Sequence, residues 1–122
     1  MKTFYSDIFP FSIVVASTKE IDEITKIFVD ADGNDITFSP NILGVVIKAN
    51  LREEPKSAYS LIVFNGKPAI DTLTHEAFHS TCDLLERIGM HLTVDNDETY
   101  AYVMGYISKC INTAINSDKI WE

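Results

Sequence analysis

The sequence has little cysteine and no long hydrophobic run. Its two cysteines, Cys82 and Cys110, both fall in segments predicted to be helical. One disulfide between those helices is an alternative, but two buried free thiols in a reducing cytosol fit this low cysteine usage better. No apolar stretch approaches the roughly 20 residues of a membrane-spanning helix, so we expect no membrane insertion.

The pattern of a secretory leader is also missing. The first residues carry one basic side chain, Lys2, and the short apolar stretch 13–16 lies downstream of Asp7 and Pro10. A signal peptide needs a positively charged region followed by a longer apolar one. The sequence therefore predicts a cytoplasmic protein.

Positive charge is scarce as well. The 122 residues include 10 Lys and Arg against 18 Asp and Glu, which gives a net charge of −8. An acidic surface repels phosphate backbones, which argues against nucleic acid as a partner. The composition, with 46% hydrophobic and 23% charged residues, is typical of a globular protein, and the length suits one domain over residues 1–122.

The most informative stretch of the chain is the pentad at residues 75–79, His-Glu-Ala-Phe-His. In a helix, His75 and His79 are one turn apart and project from the same face. Two neutral imidazoles at this spacing suit Zn²⁺, and Glu76 beside them suits a base that takes a proton from water at the metal. The alternative is a pair of half-buried histidines on an ordinary amphipathic helix.

The surroundings of the pentad predict a helix over about residues 69–88. Apolar residues recur at roughly 3.6-residue spacing, Pro68 precedes the segment and Gly89 follows it as a C-terminal cap. A second amphipathic segment, about residues 96–116, follows after a short loop. Two helices joined in this way pack side by side, which would let Glu98 in the first turn of the second helix reach the histidines of the first.

The pattern of His75, Glu76 and His79, followed after eighteen residues by Glu98, resembles the gluzincin family of zinc metallopeptidases. With Gly89, residues 96–98, residues 101–102 and residues 105–106, the chain is also similar to small zincin-like proteins of bacteriophages and prophages, over about residues 59–111. The resemblance implies one Zn²⁺ ion held by His75, His79 and Glu98, with Glu76 as general base. The large domains that help to shape the substrate cleft of typical gluzincin peptidases have no counterpart here.

Several residues compete for, or support, these roles. Cys82 and His91 are rival third ligands, and Glu98 could instead form a capping box with Asp95. Asp83, one turn after His79, could orient an imidazole, or it could be a solvated surface residue. Tyr102 lies one turn after Glu98, where its hydroxyl could stabilise an oxyanion. Gly105, in mid-helix, suggests a close approach to the first helix.

The rest of the chain predicts an α+β fold, a minimal zincin-like domain in which a small, mostly antiparallel sheet packs against the two helices. Ser17 or Thr18 begins a helix that carries Ile21, Ile24, Ile27 and Phe28, and residues 30–35 form a turn. The predicted strands are 11–16, 36–38, 43–49 and 58–64, with residues 52–57 as a hairpin connection. The strand 58–64 is either a sheet edge that could pair with a peptide or a central strand without a free edge.

Besides a metal-free helical interaction module, these patterns lead to two hypotheses about function that use zinc. The first is a zinc-dependent metallopeptidase acting on a peptide or protein substrate, with Glu76 as the base and Tyr102 in support. The second is a zinc-containing binding or regulatory protein of phage or prophage origin that cuts nothing, because a metal motif alone does not prove access of substrate.

Overall fold

A computed structural model describes residues 1–6 and 11–122, and over these residues it contains one five-stranded sheet. In chain order the strands are β1 (Lys2–Tyr5), β2 (Ser12–Ser17), β3 (Phe28–Asp30), β4 (Gly44–Leu51) and β5 (Glu54–Phe64). Their order in the sheet is β1-β2-β5-β4-β3. The pair β2–β5 is parallel and the other three pairs are antiparallel. The predicted mostly antiparallel sheet is confirmed.

The helices of the described residues are α1 (Ile21–Ile27), α2 (Ile70–Arg87) and α3 (Asp97–Ile115), with short 3₁₀ turns at Thr18–Glu20 and Lys119–Trp121. The two long helices agree with the predicted ranges 69–88 and 96–116. Helices packed against a sheet that is mostly antiparallel confirm the α+β class. No helix in the described part of the chain combines the length and apolarity needed to cross a membrane.

Each face of the sheet has its own hydrophobic core. Alternate residues of a strand point to opposite faces, so Ile62 and Phe64 of β5 pack with α2 and α3, whereas Leu61 and Val63 pack on the side of α1. We call these the α2/α3 face and the α1 face. Because both faces are covered, β5 reads in the sequence as a continuous apolar run.

The capping signals at Ser17 and Gly89 form as predicted. The Ser17 side chain accepts from the backbone of Lys19, and Glu20 accepts from the Ser17 N–H to complete a capping box. Gly89, at φ +79°, ends α2, with its N–H donating to Glu86 O and the Met90 N–H donating to Leu85 O. This pair of bonds is the Schellman motif, which requires a left-handed residue. The thiols of Cys82 and Cys110 are free, as expected.

Strand β5 is central, lying between β2 and β4, so the edge-strand alternative for residues 58–64 is wrong. The strand β2, whose start was predicted at residue 11, separates it from one edge of the sheet. On its other side β4 pairs along nearly its whole length, from Gly44 with Phe64 to Leu51 with Glu54.

Other local predictions need correction. Residues 36–38 form no strand; Ile36 is buried in the α1-face core, but without a strand partner. The predicted connection 52–57 shrinks to a two-residue turn, because β5 begins at Glu54. Phe28 starts β3 rather than continuing the helix. A side chain at Gly105 would meet nothing within 4 Å, so close helix packing does not explain this glycine.

Candidate metal centre

The two histidines of the pentad lie together in the first half of α2. His75 Nε2 and His79 Nε2 are 3.0 Å apart, and the ring centroids are separated by 4.6 Å. Both side chains are exposed, on the side of α2 turned away from the core. The i, i+4 spacing predicted this convergence, and the structure confirms it.

The separation of the two nitrogens suits a metal ion. Two nitrogens bound to one tetrahedral Zn²⁺ at about 2.05 Å each lie about 3.3 Å apart, close to the 3.0 Å between His75 and His79. Neutral imidazole is also a preferred zinc ligand. Two of the three protein ligands of a catalytic zinc site therefore fit this position.

Glu76 is the buried member of the pentad. Glu76 is only 6% exposed to solvent, and its Oε1 lies 3.8 Å from His75 Nε2. Across from it runs the start of β4, where the missing side chain of Gly44 leaves room for the Glu76 stem. The helix thus holds a carboxylate next to the histidine pair and partly shielded from water.

The groove between α2 and the start of β4 opens at the pentad. One depression of about 350 Å³ is lined by Leu43, Gly44, Asp71, Thr72, His75 and Glu76. The next, of about 390 Å³, is lined by Gly44, Val45, Val46, His75, Glu76, His79 and Asp83. His75 and Glu76 line both depressions, whereas His79 lines only the second, so a ligand in the second depression can reach all three side chains.

Asp83 belongs to this groove, as the sequence hypothesis of a supporting carboxylate requires. Burial raises the pKa of the Asp83 carboxyl and is the largest effect on it. Of the charged neighbours, Lys48 acts most strongly and lowers this pKa, and His79 lowers it to a smaller extent. Lys48 projects from β4 and lies 4.0 Å from Asp83 and 3.4 Å from Glu86. These contacts tie β4 to α2 one turn beyond the histidines.

The structure places Glu98 and Tyr102 away from the groove. Glu98 is exposed in the first turn of α3, and Tyr102 is 76% exposed. The Tyr100 hydroxyl donates to Met90 O at 3.0 Å, so this end of α3 lies beside the end of α2. The start of α3, which carries Glu98, therefore lies near the end of α2 at Arg87. His79 lies eight residues before that end, about 12 Å away along the helix axis. Glu98 as a ligand and Tyr102 as a catalytic group stay predictions.

The rival ligands are not at the histidine pair either. His91 is exposed in the connecting loop, and Cys82 packs partly against the α2/α3-face core, where burial raises the pKa of its thiol. Across residues 1–6 and 11–122, no three side chains of His, Cys, Asp or Glu are grouped so that they could hold a metal ion. The capping-box alternative for Glu98 does not form, since Asn96 precedes α3 and its side chain makes no capping bond.

Sequence reasoning missed the contribution of β4. Gly44 faces Glu76, Leu43 lines one depression, and Lys48 pairs with Asp83. The signal that was available is the glycine at the start of an apolar strand, because glycine in a strand often marks a close approach by another group.

Comparisons with known proteins add no relative. No protein-family model, no curated protein and no solved structure matches this chain.

Proposed function

We propose that this protein is a zinc-dependent peptidase whose metal is held by His75 and His79 and whose general base is Glu76. One observation carries the proposal: two imidazole nitrogens converge to 3.0 Å beside a buried carboxylate that faces an open groove. Glu98, in agreement with the family resemblance, is the proposed third ligand. Its approach to the histidines requires the first turn of α3 to shift when zinc binds.

Each residue has a defined task in this proposal. When bound, Zn²⁺ supplies Lewis acidity to a peptide carbonyl and to water. Glu76 takes a proton from water as the hydroxyl adds to the carbonyl carbon, and it gives that proton to the amine nitrogen as the C–N bond breaks. Its low exposure keeps the carboxylate weakly hydrated and its position fixed. Asp83 orients His79, and Tyr102 is the proposed group for the oxyanion.

The start of β4 offers a place for the substrate backbone. Within the described residues, β3 pairs with β4 only at Ala49–Leu51, so the outer edge of residues 44–48 has no strand partner. An unpaired edge binds extended peptides through main-chain hydrogen bonds. A peptide paired there would run beside the pentad, so β4 takes the role that the sequence hypothesis gave to β5.

The test is the substitution Glu76→Gln. We expect the variant to bind zinc as the wild type does and to lose at least a hundredfold in cleavage, because an amide cannot accept the proton. Zinc-loaded protein is incubated with a denatured protein mixture, and new N-termini are identified by mass spectrometry. Glu23→Gln is the matched control, since Glu23 is exposed on α1 at the opposite face of the sheet.

Retention of cleavage by Glu76→Gln would remove Glu76 from the mechanism. A second function, a zinc-containing binding or regulatory protein of phage or prophage type, is favoured by the distance of Glu98 from the histidine pair. This second function predicts that the protein binds zinc but that no new N-termini appear in the same incubation. In either case we propose a reducing cytosol as the site of action, because both thiols are free.

A further inference from the structure

The backbone of β4 closely approaches the proposed base at Gly44. A β-carbon built on Gly44 would lie 3.0 Å from Glu76 Cγ and 3.0 Å from Phe64 Cδ1. Carbon atoms in favourable contact are about 3.5–4.0 Å apart. Any side chain at position 44 must therefore displace one of these two neighbours or the strand itself.

The surroundings decide which neighbour moves. Phe64 is fully buried and packs edge-on against Trp121, with ring centroids 6.4 Å apart. The strand is also held, since Gly44 pairs with Phe64 and the Asn65 N–H donates to Leu43 O. Glu76, by contrast, faces the two open depressions. A side chain at position 44 would thus push the Glu76 stem toward the groove.

We infer that Gly44 is a positioning residue: its missing side chain fixes where the Glu76 carboxylate stands relative to the histidine pair. The inference rests on the proposed function, to which it adds a residue on a separate strand. The groove wall at this point is bare backbone, so the spacing between β4 and α2 is set by the Glu76 stem on one side and by Gly44 on the other. Relieving the 3.0 Å contact would move Glu76 by up to about 1 Å. A misplacement of about 1 Å can slow catalysis about a hundredfold.

The first experiment measures the contact without using activity. Unfolding by urea is followed for the metal-free wild type, Gly44→Ala, Glu76→Ala and the double variant. If Gly44 holds the Glu76 stem, Gly44→Ala shifts the urea midpoint downward less in the Glu76→Ala background, because the opposing Cγ is gone. Equal shifts in both backgrounds would mean that position 44 contacts only Phe64 and would overturn the inference.

The second experiment measures the consequence for catalysis. In zinc-loaded protein, Gly44→Ala is expected to lower kcat roughly ten- to a hundredfold, with zinc content and KM within twofold of wild type. Gly105→Ala is the matched control, since a side chain there meets nothing within 4 Å. An unchanged kcat for Gly44→Ala would overturn the inference. If the wild type binds zinc but cleaves nothing, the hydrolytic function fails, and the urea experiment alone decides whether Gly44 positions Glu76.

Discussion

At the scale of single residues, helix geometry alone explains why the histidine pair could be predicted. Residues four apart share a face, so His75 and His79 converge wherever α2 packs. The position of Glu98 depends instead on how α3 is placed against α2, which a count of eighteen intervening residues does not fix. The role of Gly44 is harder still to predict, because Gly44 lies on a strand about 30 residues away from the pentad along the chain.

The third ligand can be tested directly. If Glu98 binds the metal, Glu98→Ala should weaken zinc affinity more than tenfold, because one of three protein ligands and its negative charge are lost. The measurement is a zinc titration against a chromophoric chelator. Asp97→Ala is the control, since it removes the same charge from the same helical turn.

The alternative outcome is equally specific. Unchanged affinity in Glu98→Ala would remove Glu98 from the ligand set. Asp83→Ala, measured in the same way, is expected to cost about tenfold if Asp83 only orients His79, since supporting partners of metal ligands are worth about 10–100-fold. A complete loss of binding in that variant would instead make Asp83 itself a ligand.

At the scale of elements, those determined by local sequence signals were predicted well, and those that depend on distant parts of the chain were not. The bounds of α2 and α3 follow from periodicity and caps that lie within the segments themselves. Residues 36–38 have the composition of a strand, yet a strand also needs a neighbour with free hydrogen-bonding groups, and the sequence alone does not show one. Ile36 is buried instead by packing in the core of the α1 face.

The end of α2 gives a prediction about stability. Gly89 has φ +79°, and a β-carbon in the left-handed region costs roughly 1–2 kcal/mol. Gly89→Ala should therefore lower the melting temperature by about 4 °C or more, measured by circular dichroism. Gly105→Ala is the comparison, because the same change in mid-helix favours the helix by up to about 1 kcal/mol.

A melting temperature for Gly89→Ala equal to that of the wild type would show that the Schellman turn rearranges without cost. The zinc affinity of this variant is expected to stay within twofold of wild type, provided that the connecting loop contributes no ligand. A large loss of affinity would point to His91, which lies two residues beyond Gly89.

At the scale of the whole molecule, the class of the fold was predicted but the strand order was not. A run of short strands followed by two long helices identifies an α+β protein. The central place of β5, in contrast, depends on its parallel pairing with β2, nearly fifty residues earlier in the chain. That pairing is what moves the accessible edge from β5 to the start of β4. The topology thus decides which strand can meet a peptide.

The same packing predicts how stability depends on alkaline pH. Burial raises the pKa of the Cys110 thiol and of the Tyr100 hydroxyl, both of which lie in the α2/α3-face core. Each group is neutral when protonated, so the folded state holds its proton more tightly than the unfolded state does. The free energy of unfolding should therefore be constant up to the ordinary thiol pKa and fall as the pH rises through 9 and 10.

The measurement is the free energy of unfolding in urea at intervals from pH 7 to pH 10.5, in protein kept reduced and free of metal. Cys110→Ala removes one of the two groups, so its curve should start lower, because a buried sulfur is lost, and fall less steeply above pH 9. A wild-type curve that stays level to pH 10.5 would contradict the burial of these groups. Parallel curves for wild type and variant would assign the decline to the Cys82 thiol, Tyr100 and the other tyrosines, since the slope at each pH counts only the protons that the two states bind differently.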